Sequence, residues 1–146
     1  MSALLVILAL QACGGPVLEE LVNPPIPDPP WKIDYSDGSG NAYFFEGQPA
    51  GTIQAVYRPV DPAQSSSGTY SGGEPWSVDL DVAGAGELWR WVEGLAADET
   101  IHVQDRQKGT GVVHLVSAQG DRSFIVMRGT RLAAFDTYVS SLGDQP

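Results

Sequence analysis

Residues 31–45, WKIDYSDGSGNAYFF, contain the clearest strand pattern in this sequence. At the start of the stretch, large apolar residues alternate with charged ones: Trp31, Ile33 and Tyr35. This period of two is typical of a strand with one buried face. An Asp-Gly pair begins at Asp37, and residues 42–45 form a second apolar run. The stretch therefore predicts a β-hairpin, and the other elements are placed outward from it.

The rest of the chain predicts further strands and two helices. The strands are expected at residues 52–58, 76–82, 100–106, 111–118 and 122–128. A helix is predicted over residues 85–97 from an apolar stripe at helical spacing: Leu88, Trp91, Val92 and Leu95. Thr130 is expected to cap a final helix that Gly143 ends. The order β-β-β-β-α-β-β-β-α predicts an α+β fold, with an antiparallel sheet of about six to seven strands and two helices on one face.

The last three strands are expected to form a meander, with residue 106 paired with 111 and residue 118 paired with 122. One face would then hold Val112, His114, Val116, Phe124 and Val126, and the other Val113, Leu115, Ile125 and Met127. Because both faces are apolar, periodicity alone does not choose between them. We expect the first face to point into the core, since it is fuller and carries Phe124.

Composition and charge exclude several classes of function. The chain has 146 residues, enough for one domain, and 42% of them are hydrophobic, as in a globular protein. Its net charge is −10, which opposes binding to nucleic-acid phosphates. The single cysteine, Cys13, excludes an internal disulfide and a Cys-x-x-Cys zinc site. We expect no cofactor, no bound metal and no nucleic-acid partner.

A short apolar run at residues 3–10 leads into the sequence Leu10-Gln11-Ala12-Cys13. The run is too short for a membrane span, which needs about 20 residues. The four residues resemble the lipobox of bacterial lipoprotein signal peptides, which has an aliphatic residue at the third position before the cysteine and a small residue just before it. The resemblance implies a signal peptide at residues 1–12 and a membrane anchor of acyl chains, including palmitate, on Cys13. It also implies a location in the cell envelope.

Prolines mark residues 13–30 as an extended linker: Pro16, Pro24, Pro25, Pro27, Pro29 and Pro30. Such a lipidated Pro-rich segment would hold the domain roughly 50 Å from a membrane. We expect a single globular domain at residues 31–146. Gly14, in place of Asp after the cysteine, implies the outer membrane, with the domain facing the periplasm or the cell surface.

No Lys or Arg precedes the apolar run. Signal peptides begin with a basic region and are usually longer, so we expect the true start to lie upstream of Met1. The alternatives are a truncated ordinary signal peptide and a fortuitous apolar N-terminus.

No catalytic residues are expected. His102 and His114 are the only histidines, and the predicted register places His102 toward solvent and His114 at the core edge, so they cannot share a metal or acid–base site. There is no Gly-x-Ser-x-Gly elbow for a serine nucleophile. Asp79 and Asp81 are interpreted as the solvent face of a strand rather than as paired catalytic carboxylates. The prediction is a non-catalytic binding domain, with an unrecognised enzyme as the alternative.

Residues 59–75 form the longest stretch without a predicted strand or helix. Structureless loops above about 12–15 residues are uncommon in compact domains and are often functional. We expect a partner to bind there, through Ser65, Ser66, Ser67, Tyr70, Ser71, Gly72 and Gly73. For the serines, flexibility is the alternative interpretation.

Basic residues are expected to gather at one end of the sheet. In the predicted meander, residue 128 lies opposite 112, which lies opposite 105. This register would bring four basic side chains together: Arg106, Lys108, Arg128 and Arg131. In an acidic protein, such a patch would bind an anionic group or an acidic partner. The alternative is that these residues pair with nearby acids such as Asp105.

The part of the chain from Ser71 onward resembles emfourin, a small protein inhibitor of thermolysin-like metalloproteases. The shared layout is the Ser71-Gly72-Gly73 turn, a strand, a helix containing ELWRWV at residues 87–92, a strand pair and a Leu-rich terminal helix. The resemblance covers about half of the chain and leaves out residues 31–58 and the leader. It implies a non-catalytic protein that engages a protease through the Gly-rich loop. The expected partner is therefore a protease or another envelope protein.

Overall fold

The computed structural model describes residues 25–144. The predicted signal peptide at residues 1–12, the lipidation site Cys13 and residues 14–24 of the linker lie outside this part of the chain, as do residues 145–146. Residues 25–30, which complete the predicted linker, form neither helix nor strand.

The strands and helices follow one another in the predicted order. The strands are β1 (Trp31–Ser36), β2 (Ala42–Gly47), β3 (Ile53–Arg58), β4 (Trp76–Leu80), β5 (His102–Val103), β6 (Gly111–Ser117) and β7 (Gly120–Val126). The helices are α1 (Val82–Ala97) and α2 (Thr130–Ser141). Short 3-10 helices lie at Glu99–Ile101 and Leu142–Asp144.

All of these strands belong to one sheet, in the order β4-β3-β2-β1-β6-β7-β5. Every neighbouring pair is antiparallel. The predicted α+β fold, with an antiparallel sheet and two helices, is confirmed. The predicted hairpin is the β1–β2 pair, with Tyr35 opposite Tyr43, and it lies at the centre of the sheet because β1 also pairs with β6.

Both helices cover the same face of the sheet. On that face the Trp31 ring meets Trp89 of α1 at 5.2 Å between centroids, and the Tyr35 ring meets Phe135 of α2 at 4.8 Å. The buried residues of α1 are Ala85, Leu88, Trp89, Val92 and Leu95, and those of α2 are Leu132, Phe135 and Val139. Trp89 therefore occupies the buried position that the predicted stripe gave to Trp91. Removing this apolar surface from water is the main stabilising contribution to the fold.

The two helix starts differ from the prediction. β4 ends at Leu80, and Asp81 caps α1, because its carboxylate accepts a hydrogen bond from the Gly84 amide at 2.7 Å. Val82, placed by the prediction at the end of the strand over residues 76–82, is 80% exposed as the first residue of α1. α2 begins at Thr130 itself, and the residue before it, Gly129, has no side chain with which to cap the helix.

The predicted meander is wrong in two respects. β5 pairs with β7, so β7 lies between β5 and β6. β6 and β7 are joined by a tighter turn than expected, with Ser117 opposite Gly120. Compared with the prediction, the pairing of β6 with β7 is shifted by an odd number of residues. The β6 side chains that share a face with a given β7 residue are therefore the opposite set from the one predicted. Val113 and Leu115 are buried in the core, whereas the face that carries Val112 and Val116 points outward.

Candidate functional site

The loop between β3 and β4 lies next to the sheet edge, and its two ends are held together. The Gly72 amide donates a hydrogen bond to the Val60 carbonyl at 2.9 Å. The Tyr57 hydroxyl, on β3, donates to the Gly72 carbonyl at 2.7 Å. We call residues 60–72 the pinned loop. A loop whose ends meet at a rigid base belongs to the Ω class, which is frequently functional.

Asn41, just before β2, anchors the pinned loop. This residue is only 4% exposed. Its Oδ1 accepts a hydrogen bond from the Val60 amide at 3.0 Å. Its Nδ2 donates to the Tyr70 hydroxyl at 3.0 Å and to the Asp37 carboxylate at 2.7 Å. The orientation of this buried amide is therefore fixed, because turning it would leave buried polar groups without partners.

Gly72 packs directly against Asn41. A methyl group on Gly72 would overlap with the Asn41 amide and with the Pro59 side chain. Gly72 was predicted to contact a partner. In the structure, its lack of a side chain allows the end of the loop to reach its anchor.

Short polar side chains fix the shape of the pinned loop. The Ser67 hydroxyl accepts hydrogen bonds from the amides of Thr69 and Tyr70, at 3.4 and 3.2 Å. The Ser65 hydroxyl is a second acceptor for the Tyr70 amide, at 3.3 Å. Ser66 and Ser67 are exposed at the tip, and Tyr70 is 38% exposed. Some of the predicted contact residues therefore hold the loop in one conformation, and others are presented to solvent.

The predicted residues Ser71 and Gly73 lie where the loop leads into β4. The Ser71 hydroxyl accepts a hydrogen bond from the Gly73 amide at 3.3 Å. Gly73 has a φ of +98°, which favours glycine. Both residues are exposed, so the predicted set spans the tip and the exit of one ordered surface loop.

The predicted basic patch is only partly assembled. Lys108 and Arg128 line a common groove, and Arg106 lies beside it, donating to the Ser36 hydroxyl at 2.8 Å and to the Asp37 carbonyl at 3.2 Å. Arg131 instead forms an ion pair with Asp98, beyond the end of α1. The predicted register does not hold, because Val112 lies opposite Ile125 rather than opposite Arg128.

The groove that holds Lys108 and Arg128 lies between the start of α2 and the turn before β2, and we call it the α2 groove. Its volume is about 320 Å³, and Asp37 and Asp136 contribute carboxylates to it. The groove therefore carries charges of both signs rather than a purely basic surface.

Protein groups already engage both carboxylates of the α2 groove. Asp37 accepts from the amides of Ser39 and Asn41 at 2.8 and 2.9 Å. Asp136 accepts a hydrogen bond from the Tyr35 hydroxyl. Burial raises the pKa of Asp136 above its ordinary value, and burial together with the Asp136 hydrogen bond raises the pKa of Tyr35.

The histidines lie on opposite faces of the sheet, but with their predicted roles exchanged. His102 points to the helix side, where its Nε2 lies 2.9 Å from the Leu95 carbonyl and its ring stacks on Phe124. His114 is exposed on the outer face, opposite Asp34 of β1. Among residues 25–144, no group of three or more His, Cys, Asp or Glu side chains is placed to hold a metal ion.

The roles of Asn41 and Tyr57 could not be predicted from the sequence. Asn41 directly follows a Gly-containing turn, and Tyr57 lies in the strand predicted at residues 52–58. Their hydrogen bonds to residues 60–72 depend on how β2 and β3 pair.

Comparison with models of protein families and with curated proteins finds no match to this chain. Within residues 25–144, neither helix has the length and apolar character required to span a bilayer.

Proposed function

We propose that this chain is a bacterial lipoprotein of the cell envelope, anchored through acyl chains on Cys13, whose domain binds a protein partner without catalysing a reaction. The observation that carries the binding function is the pinned loop, an exposed polar loop held at its base by Asn41 and Tyr57. The anchor is supported by the lipobox-like residues 10–13 and by the Pro-rich linker that follows them.

The pinned loop suits partner binding because its shape is fixed before any partner arrives. A loop that is already ordered loses less conformational entropy on binding than a flexible one. Its tip presents backbone and hydroxyl groups around Ser66, and the Tyr70 ring adds an amphipathic contact. Tyrosine contributes large contact area at a small entropic cost.

The absence of catalysis is proposed from the partners of the polar groups. Among residues 25–144, the carboxylates that line the α2 groove are those of Asp37 and Asp136, and both accept hydrogen bonds from protein donors. His102 lies against the Leu95 carbonyl, and His114 lies on the open face of the sheet.

Membrane fractionation tests the anchor. We expect the wild-type protein in the membrane fraction of its bacterial host and the Cys13→Ala variant in the soluble fraction. A Ser2→Ala variant is the matched control and should stay with the membrane. If Cys13→Ala remains membrane-bound, the lipid anchor is wrong, whatever the loop does.

Shortening the loop tests the binding function. A full-length variant that lacks residues 66–69 keeps Asn41, Tyr57 and Gly72, so we expect it to fold with an unchanged circular dichroism spectrum. Chemical cross-linking in intact cells should give a discrete adduct with wild-type protein that is lost in this variant. The matched control, Gln48→Ala in the β2–β3 turn, should retain the adduct. An adduct that survives the deletion would contradict binding through the loop.

A second candidate function is inhibition of a thermolysin-like metalloprotease. The exposed residues Ser71 and Gly73, on either side of Gly72 where the pinned loop ends, favour it, since the Ser-Gly-Gly turn is part of the layout that resembles emfourin. The purified full chain should then inhibit thermolysin, and shortening residues 65–73 should abolish the inhibition. If the wild-type chain does not inhibit thermolysin, this candidate is eliminated.

A further inference from the structure

β4 is an edge strand with one side of its backbone unpaired. It pairs with β3 from Trp76, opposite Tyr57, to Leu80, opposite Ile53. No strand formed by residues 25–144 lies on its other side. Among residues 25–144, no loop backbone and no side chain forms a hydrogen bond with the backbone of β4 either. A row of free N–H and C=O groups is a template for a further strand.

The two edges of the sheet differ in their capacity to accept a strand. β5, at the other edge, is only two residues long, which is too short to support stable pairing. β4 is five residues long, pairs with β3 without a bulge, and contains no Pro, Lys or Arg. Natural proteins block strand addition at an edge with bulges, prolines and charged side chains, especially lysine. Of these features, β4 has only the charge of Asp79.

The chain segment that contains β4 carries acidic side chains and no basic ones. The nearest basic residue on the neighbouring strand is Arg58, which follows the partner of Trp76 and has its guanidinium over the Phe44 ring of β2. Glu74, Asp79 and Asp81 are exposed along the strand and at its two ends. Residues 59–89 contain no Lys or Arg. A second copy of this edge would bring two sets of acidic side chains close together, which is electrostatically unfavourable. A segment that carries Lys or Arg would be attracted to it.

The edge is also continuous with the pinned loop, which leads into β4 through Gly73, Glu74 and Pro75. We propose that β4 binds an extended, Lys- or Arg-containing segment of a partner protein as an additional strand of the sheet. This inference rests on the proposed partner-binding function and adds the mode of recognition. Backbone hydrogen bonds would supply affinity, and the acidic side chains would select a basic segment.

The probe for this proposal is the synthetic peptide Thr-Lys-Val-Lys-Val-Lys-Thr, added to the full-length protein. We expect it to slow amide hydrogen exchange at residues 76–80 and to leave exchange in β5 unchanged. The same peptide with methylated backbone nitrogens keeps its charge but cannot donate strand hydrogen bonds, so it should give no protection. Equal protection by both peptides, or none by the first, would overturn the proposal.

Charge reversal separates the electrostatic contribution. Asp79→Lys should weaken binding of the lysine peptide by about tenfold, since an attractive pair becomes a repulsive one. The matched control, Asp121→Lys on the outer face of β7, should bind like wild type. Pairing of two copies through β4 would appear as exchange protection that rises with protein concentration without peptide, and it would overturn the choice of a basic partner. If the lysine peptide does not bind although the loop-dependent adduct forms, strand addition at β4 is wrong and the proposed binding function of the loop stands.

Discussion

Asn41 shows how one residue fixes the candidate binding surface. Its side chain joins the turn before β2, the start of the pinned loop and the Tyr70 hydroxyl. Val60 and Tyr70 lie 19 and 29 residues from Asn41 in the chain, and neither of them belongs to a strand. The hydrogen bonds of the buried Asn41 amide therefore join parts of the chain that no backbone strand pairing connects.

We expect Asn41→Ala to lower the free energy of unfolding by about 1–3 kcal/mol, because it leaves buried partners unpaired. The effect should concentrate in residues 60–72, where amide hydrogen exchange should become faster. Ser39→Ala, in the same turn, is the matched control, since the Ser39 hydroxyl makes no hydrogen bond to any residue of the described part. Equal exchange rates in wild type and Asn41→Ala would contradict the anchoring role.

Asp136 links stability to pH. Because burial raises the pKa of this carboxyl in the folded protein, the folded state keeps the proton to a higher pH than the unfolded state does. The stabilising contribution of the protonated form is therefore complete at low pH. It is lost as the pH rises from about 4, the ordinary carboxyl value, through the raised folded value.

Urea unfolding of wild type and Asp136→Asn across this pH range measures the effect. The asparagine keeps an oxygen for the Tyr35 hydroxyl but does not titrate. We expect the stability of wild type relative to Asp136→Asn to fall as pH rises and to level off above the raised pKa. A relative stability that increases with pH would show that the pKa of Asp136 is lowered instead.

At the scale of elements, the β1–β2 hairpin could be predicted, whereas the arrangement of β5, β6 and β7 could not. Large apolar residues alternate with charged ones along β1, so only one face of this strand can be buried. β6 is apolar on both faces, and its register depended on the turn after Ser117, where more than one turn length was compatible with the residues. The placement of β5 beyond β7 has no local signal in its short strand.

The uncertain strand register also explains why the loop could be predicted and the basic patch could not. The pinned loop was found because a long Ser- and Gly-rich stretch interrupts the strand pattern. The basic patch was inferred from the predicted register of β6 and β7, and only Lys108 and Arg128 line the same groove. The outward position of His114 follows from the change in the β6–β7 register, and the inward position of His102 follows from the pairing of β5 with β7.

Leu115→Ala tests the observed face of β6. Leu115 is 1% exposed in the core, so its truncation should cost about 2–5 kcal/mol of unfolding free energy. Val116→Ala, one residue further on the outer face, should cost less than about 1 kcal/mol. Chemical denaturation of both variants measures the difference, and a larger cost for Val116→Ala would support the register first predicted.

At the scale of the whole molecule, the architecture separates a covered face from an exposed edge. Both helices cover one face of the sheet, and the β1–β2 hairpin, which has the clearest strand pattern in the sequence, lies at its centre. The pinned loop and β4 lie together at one edge. Residues 25–30 of the linker lead into the central strand β1, whereas β4 lies at the edge of the sheet.

The most direct test of the central claim is photo-cross-linking from the tip of the pinned loop in living cells. A benzophenone side chain placed at Ser66 should give one discrete adduct with an envelope protein. The same group at Ala50, an exposed residue in the turn at the opposite end of β3, should give none. An adduct from position 50 but not from position 66, or no adduct from position 66 in the native host, would contradict the proposal that this loop binds a partner.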